Sequence, residues 1–206
     1  MGDASKAARS VIGLYERHAP GWDQDRRHAR PPGEAGWIAR FVSAVRPGGE
    51  VLDLGCGSGE PVARDLVAGG LRVTGVDASA ALIALCIERF ADHEWIVADM
   101  RQLALGRRFD AILAWHSLFH LPPDEQAAMF PVFARHLAPG APLMFTSGSA
   151  RDVSIGEWRG EPLYHASLAP EEYQDLLESN GFAGIECVAN DQSCGGATIW
   201  FAAKAD

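Results

Sequence analysis

Residues 50–60 (EVLDLGCGSGE) constrain the fold most, because a short apolar run there runs into closely spaced glycines. Val51 and Leu52 are typical of the end of a buried strand. The glycines stand at every second position: Gly55, Gly57 and Gly59. They allow left-handed backbone and a close approach that a Cβ atom would block. A helix predicted to begin at Pro61 would point free N–H groups at the same turn. The pattern therefore predicts a ligand lying directly against the backbone.

Two classes of cofactor fit a strand, a glycine-rich turn and a helix: dinucleotides and S-adenosylmethionine. The spacing Gly-x-Gly-x-Gly is one residue shorter than the dinucleotide fingerprint Gly-x-Gly-x-x-Gly. Asp53 stands two residues before Gly55, and its carboxylate would repel a pyrophosphate but attract an ammonium group. The turn thus favours S-adenosylmethionine. A purely structural turn shaped by Asp53 is the alternative.

The composition excludes several classes of partner. The 206 residues carry a formal net charge of −9 with a pI near 5.2, which disfavours nucleic acid as a partner. The four cysteines form no C-x-x-C pair, and no zinc-like ligand spacing occurs, so we expect reduced thiols, a cytoplasmic protein and no metal. No apolar run is long enough for a signal peptide or a membrane span. We expect one domain over 1–206, with its oligomeric state left open.

Alternating strand and helix patterns follow an amphipathic N-terminal segment. Residues 5–28 predict a helix broken at Pro20 and Gly21, and 1–30 would form a cap on the core. The strands after the glycine turn are expected at 72–76, 95–98, 109–115, 143–146, 185–189 and 197–203. Because 190–196 cannot hold a crossover helix, the last two strands must be antiparallel. The sequence predicts an α/β fold: a seven-stranded, mostly parallel, doubly wound sheet with an antiparallel C-terminal hairpin and an N-terminal cap helix.

An acidic residue ends each of the first three predicted strands: Asp53, Asp77 and Asp99. The carboxyl ends of parallel strands share one edge, so these acids would face one crevice. Asp77 would reach the ribose hydroxyls of a nucleoside, or else cap the next helix together with Ser79. Asp99 would accept from an adenine amino group while the Met100 backbone donates to a ring nitrogen. Met100 as core filler is the alternative.

Histidines follow the fourth strand. His116 leaves its carboxyl end and is our first candidate for a general base, because imidazole exchanges protons near neutral pH. His165 is the second candidate, and His120 is expected to be structural. A hydrogen-bonded core histidine is the alternative for His116.

Residues 150–169 show no clear periodicity and are predicted to be an irregular substrate lid. Trp158, Tyr164 and His165 would then line a pocket for a small molecule, opposite His116.

Three segments of the chain, taken together, resemble the motifs of class I S-adenosylmethionine-dependent methyltransferases: VLDLGCGSG (51–59), GVDAS (75–79) and Asp99-Met100. FDAI (109–112) and LAPGA (137–141) are also similar to that family, and the match covers nearly the whole chain. The resemblance is to its small, single-domain, Rossmann-like members. It implies S-adenosylmethionine as the cofactor, held by Tyr15, Trp22, Asp53, Gly55, Gly57, Asp77, Ala78, Asp99, Met100 and Trp115. Tyr15 and Trp22 would close over it, with packing of the cap on the sheet as the alternative.

One departure from the wider superfamily is informative. The Asn/Asp-Pro-Pro-Tyr/Phe motif of base- and amide-methylating enzymes is replaced here by WHSL (115–118). We therefore expect methyl transfer to an oxygen, nitrogen or sulfur atom of a small molecule. The alternatives are an NAD-binding oxidoreductase and a non-catalytic S-adenosylmethionine-binding protein.

Overall fold

A computed structural model describes residues 2–206 and contains a seven-stranded sheet flanked by helices. The helices are α1 (Asp3–His28), α2 (Glu34–Ser43), α3 (Val62–Ala68), α4 (Ala80–Arg89), α5 (Pro123–His136) and α6 (Pro170–Ser179). The strands are β1 (Glu50–Leu54), β2 (Arg72–Asp77), β3 (Glu94–Val97), β4 (Ala111–Ala114), β5 (Pro142–Ser147), β6 (Asp152–Trp158), β7 (Glu161–Ser167), β8 (Phe182–Asp191) and β9 (Ala197–Lys204). No described helix combines the length and apolar character needed to span a bilayer.

The main sheet has the strand order β3-β2-β1-β4-β5-β9-β8. The pairs from β3 to β5 are parallel, whereas β9 is antiparallel to both β5 and β8. The predicted fold class is therefore confirmed. The chain runs outward from β1 to β3 and then crosses back to β4, which makes the β1/β4 boundary a switch point where open α/β sheets bind ligands.

The central strands β1, β4 and β5 are buried on both faces because helices cover each side of the sheet. Leu52 and Leu54 of β1 pack in one apolar cluster with α5, whereas Val51 packs in a second cluster with Ile38 and Phe41 of α2. All four residues of β4 are buried, as its unbroken apolar run predicts for a central parallel strand.

The break expected in α1 is a kink instead. The helix continues through Pro20 and Gly21, and its backbone departs from helical geometry at His18 (φ −111°, ψ 16°). Pro20 has no N–H to donate and its ring crowds the preceding turn, so the distortion falls just before it. The helix then continues far enough to carry Trp22 and Arg26 to the sheet edge.

Residues 150–169 are not irregular, contrary to our expectation. They form an antiparallel hairpin, β6–β7, that is a separate two-stranded sheet. Its turn places Arg159 and Gly160 at positive φ (53° and 78°), as a tight two-residue hairpin requires. The strands escaped prediction because the apolar alternation in β6 is limited to Val153 and Ile155, and both side chains stay exposed. Tyr164 of β7 packs against Val11 of α1, which ties the hairpin to the N-terminal helix.

Candidate active site

A cavity of about 800 Å³ opens at the carboxyl edge of β1, β2 and β4. Its walls come from the glycine turn, the ends of β2 and β3, helix α1 and the β6–β7 hairpin. The predicted site residues that line it are Tyr15, Trp22, Gly55, Gly57, Asp77, Ala78, Asp99, Met100, His116 and His165. Most of the residues selected from sequence are therefore brought together in one place.

The glycine turn and the acid at the end of β2 are bonded to each other. The Gly57 N–H donates to Asp77 Oδ2 at 3.0 Å, and the Ser79 N–H donates to Asp77 Oδ1 at 2.8 Å. Burial raises the pKa of Asp77, and the backbone donors oppose that rise. Ser79 caps α4, with its Oγ accepting from the Leu82 N–H. The cap role expected for Ser79 is thus confirmed, and Asp77 keeps its carboxylate at the cavity wall.

Helix α1 forms the roof over this turn. Trp22 lies so close to Gly57 that a Cβ atom there would stand 2.4 Å from the indole. The Tyr15 ring meets Trp22 edge-on at 6.0 Å. His120 Nδ1 donates to the Tyr164 carbonyl at 3.0 Å, so its Nε2 accepts from the Tyr15 hydroxyl at 2.8 Å. The tyrosine is therefore fixed, and His120 has the structural role predicted for it.

Asp53 lies beneath the turn and is 2% exposed. Its Oδ2 is buried and has no hydrogen-bond partner among residues 2–206. Burial, reinforced by the nearby Asp77, raises the pKa of Asp53 to about 7. An unpartnered buried carboxylate is costly unless a cationic group pairs with it.

The edge after β3 carries the pair predicted for adenine. Asp99 accepts from the Arg101 side chain, whose Nε lies 2.9 Å from Oδ1, and this contact lowers the pKa of Asp99. Arg101 also donates to Glu125 of α5 at 2.8 Å. Met100 lies near Gly55, where a Cβ atom would stand 3.3 Å from its methyl carbon. Both predicted residues therefore line the cavity, with Asp99 already ionised.

His116 holds a left-handed backbone (φ 53°), and its N–H donates to Thr146 Oγ1 of β5 at 2.9 Å. Burial, with the positive charge of Arg26, lowers the pKa of His116 to about 4, although Glu34 opposes that shift. The imidazole is consequently neutral near pH 7 and can accept a proton or a hydrogen bond. Trp115 lies behind it, with its indole N–H donating to Glu34 Oε2 at 2.7 Å.

A second cavity, of about 620 Å³, shares His116, Phe119 and His165 with the first. Phe119 contacts each histidine, with ring centroids at 6.0 Å from His116 and 5.3 Å from His165. Burial lowers the pKa of His165 as well. Much of the remaining wall comes from the β5–β6 connection, including Ser149 and Arg151, and from Gly195 and Gly196 between β8 and β9, so polar side chains contribute to this cavity.

The hairpin holds α1 in place from outside the cavity. Trp158 packs on Tyr15 at 5.9 Å and on His18 at 5.6 Å. Arg159 pairs with Asp25 at 2.9 Å, and Glu161 bonds to His18 at 2.6 Å. Of the three lid residues named from sequence, Tyr164 and His165 line the cavity. Trp158 does not line it and instead packs on Tyr15 and His18 of α1.

Sequence reasoning missed Phe119 and the buried Glu34. Phe119 stands in the short turn Leu118–His120, and Glu34 in the first turn of α2. An aromatic residue between two histidines in WHSLFH (115–120) is a signal that could have marked Phe119. No local pattern marks Glu34, because its partners lie far away in sequence.

The chain matches known proteins in sequence. Residues 51–140 match the profile of the family described as "Methyltransferase domain". A cypemycin N-terminal methyltransferase from a Streptomyces species is 37% identical over 159 residues, covering 69% of this chain and 64% of that protein. An O-methyltransferase from Pyrenophora dematioidea is 29% identical over 154 residues, covering 69% and 57%. The chain thus spans more than half, but less than two thirds, of the length of these two relatives.

Solved structures match over the whole chain. The DhpI–SAH complex has a TM-score of 0.75 at 21% identity and covers 100% of this chain and 99% of that one. The 1,6-didemethyltoxoflavin-N1-methyltransferase of Burkholderia thailandensis, solved with S-adenosylhomocysteine, has a TM-score of 0.73 at 18% identity, covering 100% and 92%. The sequence match identifies a methyltransferase domain over residues 51–140, and the whole chain has the fold of these solved methyltransferase structures.

The residues in and beneath the cavity fit S-adenosylmethionine, whose demethylated product S-adenosylhomocysteine is bound in both of those solved structures. The orphaned Oδ2 of Asp53 suits an ammonium group, and the carboxylate of Asp77 suits vicinal hydroxyls. Gly55 and Gly57 hold left-handed backbone (φ 73° and 58°), and a Cβ atom there would stand 2.3 Å from Ser117 or 2.4 Å from Trp22, so bare backbone lines the cavity at this turn. Among residues 2–206, no group of three or more His, Cys, Asp and Glu side chains could hold a metal ion.

Proposed function

We propose that the protein transfers a methyl group from S-adenosylmethionine to an oxygen, nitrogen or sulfur atom of a small molecule. The observation that carries this proposal is the pair of cavities that share His116, Phe119 and His165. One cavity holds the glycine turn and the acids expected of a cofactor site. The other leaves room for an acceptor on the far side of the histidines. The methyltransferase-domain match over residues 51–140 and the fold given above support the same conclusion.

In this proposal each cofactor contact has a chemical reason. Asp53 neutralises the ammonium group, Asp77 accepts from the ribose hydroxyls beside Ala78, and Asp99 with the Met100 backbone meets the adenine edge. Gly55 and Gly57 let the cofactor lie against the chain. Tyr15 and Trp22, within the 1–30 cap, cover it. Trp115 does not line the cavity. Its indole N–H instead holds Glu34 behind His116, so its role toward the cofactor is indirect.

S-adenosylmethionine supplies a methyl carbon on a positively charged sulfur, so the protein acts chiefly by alignment and by excluding water. Helix α1 and the 150–169 lid close the site from two sides. If the acceptor is a hydroxyl or an ammonium, its proton must leave. A neutral His116 accepts that proton or orients the N–H or O–H that carries it, and His165 serves the same purpose from the opposite wall.

The relatives named above include an N-terminal methyltransferase and an O-methyltransferase, and a further one, from Saccharopolyspora spinosa, is an amino-sugar N,N-dimethyltransferase. They support a small acceptor without fixing its reacting atom. The net charge of −9 argues for an acceptor other than nucleic acid. Location in the cytoplasm stays a prediction from the cysteine pattern.

Ligand-dependent unfolding tests the cofactor assignment. S-adenosylmethionine or S-adenosylhomocysteine at 100 times its dissociation constant should stabilise the protein by about 2.7 kcal/mol, whereas NAD should leave the midpoint unchanged. Small amines, alcohols and thiols are then screened for formation of S-adenosylhomocysteine. Stabilisation by NAD alone would contradict the proposal and favour an oxidoreductase. Binding of S-adenosylmethionine without turnover of any acceptor would favour a non-catalytic binding protein.

A further inference from the structure

A buried ion cluster lies behind His116 and joins the two N-terminal helices to the site. The Glu34 side chain is 0% exposed and forms ion pairs with Arg26 of α1 and with Arg30, whose Nε lies 3.0 Å from Oε1. Arg30 also pairs with Asp65 of α3. A carboxylate at this depth is tolerated only with such partners, and removing them leaves a buried charge uncompensated.

Glu34 also reaches the candidate base. Its Oε2 lies 3.8 Å from His116 Nε2, and the same oxygen pairs with Arg26 and accepts from the Trp115 indole N–H at 2.7 Å. The imidazole packs between Trp115, at 5.1 Å, and Phe119, at 6.0 Å. Its position is thus fixed by rings on two sides and by a carboxylate at one nitrogen.

Arg26 brings helix α1 into this arrangement. It belongs to the last turn of α1, lines the cavity, and has a side chain that is 15% exposed. Glu34 favours a proton on His116, whereas Arg26 opposes it. The other titratable groups that face His116 are His120, in the turn after β4, and His165 of β7, beyond Phe119.

We propose that Glu34 is a positioning residue for His116, and that Arg26 makes the seating of α1 over the cavity and the protonation of His116 mutually dependent. With α1 seated, Arg26 neutralises Glu34 and His116 stays neutral. When α1 lifts, Glu34 keeps Arg30 but loses Arg26, and it attracts a proton to Nε2. Because coupling between two equilibria is reciprocal, a proton placed on His116 loosens α1.

This coupling gives the proposed reaction a way to release its products, and in that respect it rests on the proposed function. A hydroxyl acceptor loses its proton as its oxygen bonds to the methyl carbon and the sulfur–carbon bond breaks, and a neutral amine acceptor loses one proton just after its nitrogen–carbon bond has formed. If His116 takes that proton, the imidazolium repels the nearby guanidinium of Arg26 and weakens the attachment of helix α1 over the cavity. The site then opens after transfer rather than before it.

The protonation of His116 is followed by NMR titration of its imidazole, assigned with His116→Asn, over the pH range in which circular dichroism shows the protein folded. Arg26→Gln should raise the pKa of His116 by roughly one unit or more, because an adjacent like charge is removed. Glu34→Gln should leave it low or lower it further. Arg26→Lys should restore the wild-type behaviour. Arg27→Gln, an exposed arginine of the same turn paired with Asp23, is the matched control.

The different responses of the His116 pKa separate this proposal from simple loosening, because Arg26→Gln and Glu34→Gln break the same ion pair. Shifts in the same direction, or an Arg26→Gln titration that matches Arg27→Gln, would overturn the coupling. If Glu34→Gln fails to fold, the comparison of Arg26→Gln with Arg27→Gln still decides. No step of this experiment needs methyl transfer, so a failed search for the acceptor leaves its outcome intact.

Discussion

The carboxylate of Asp77 accepts the backbone N–H of Gly57 at 3.0 Å, so the acid that ends β2 also fixes the turn that follows β1. The Asp77 side chain therefore holds the backbone of the glycine turn and also lines the cavity. The bond spans two neighbouring parallel strands, which explains why the spacing of the glycine turn and the acid is readable in the sequence.

Replacing Asp77 by Ala should weaken binding of S-adenosylhomocysteine about 10- to 100-fold, because a hydrogen bond to a charged group contributes roughly 1.5 to 3 kcal/mol. Isothermal titration calorimetry measures the effect. Asp175→Ala, at an exposed position of α6, is the matched control. Equal affinity in the two variants would remove Asp77 from the nucleoside site.

Asp53 gives a prediction in which stability and binding change in opposite directions. Its pKa of about 7 in the folded protein lies above the ordinary 3.8, so the folded state holds the proton more tightly. That carboxyl therefore makes the protein less stable as the pH rises from about 4 to about 7, at about 1.4 kcal/mol per pH unit. Above pH 7 the cost stays constant.

Asp53→Asn should accordingly raise the free energy of unfolding of the ligand-free protein at pH 8, and the gain should shrink towards pH 4. Its affinity for S-adenosylhomocysteine should fall, because the ammonium group loses its carboxylate. Urea unfolding at both pH values and calorimetry at pH 8 test the two halves, with Asp175→Asn as the control. A variant that is destabilised equally at both pH values would contradict the burial argument.

Gly57→Ala should lower affinity for S-adenosylhomocysteine more than backbone strain alone can explain. Gly57 has φ 58°, and an added Cβ would stand 2.4 Å from Trp22, so the roof must shift. Gly106 has a similar φ of 69° with open space around it. Gly106→Ala therefore carries only the left-handed penalty, about 1 to 2 kcal/mol.

Urea unfolding should show a loss of about 1 to 2 kcal/mol for Gly106→Ala and a larger loss for Gly57→Ala, whereas calorimetry should show a loss of affinity only for Gly57→Ala. If both bind S-adenosylhomocysteine like the wild type, the contact of Trp22 with the glycine turn is irrelevant to cofactor binding.

The part of the fold that could be predicted is the part set by local pattern. The glycines 55, 57 and 59 and the acids that end β1, β2 and β3 depend on neighbours in sequence and on the geometry of parallel strands. The β6–β7 hairpin could not be predicted in the same way. The alternation of apolar and polar residues in β6 is limited to Val153 and Ile155, which remain 47% and 43% exposed, so it is too short to mark a strand.

The missing parts of the site depend on contacts between distant segments. Glu34 meets Trp115 and His116 only because α2 packs beside the end of β4, and a lone glutamate in a first helical turn ordinarily signals helix stabilisation. The kink at His18 has a local cause in Pro20, but the continuation of α1 beyond it is likewise supported by distant segments, since Asp23 pairs with Arg89 of α4 at 2.6 Å. Tertiary packing overrides local propensity at these positions.

The histidines yield the prediction with the widest chemical consequence. Once an acceptor is found, His116→Ala or His165→Ala should lower kcat about 10²- to 10⁴-fold with little change in cofactor affinity, as loss of a general base does. Because the pKa of His116 is about 4, its neutral form persists down to mildly acidic pH. If protonation of His116 limits the reaction, kcat should therefore fall only near pH 4, well below the ordinary histidine pKa of 6.5. His28→Ala, at an exposed position near the end of α1, is the control. Wild-type rates in both variants would mean that alignment alone suffices, as for a thiolate acceptor that has no proton to lose.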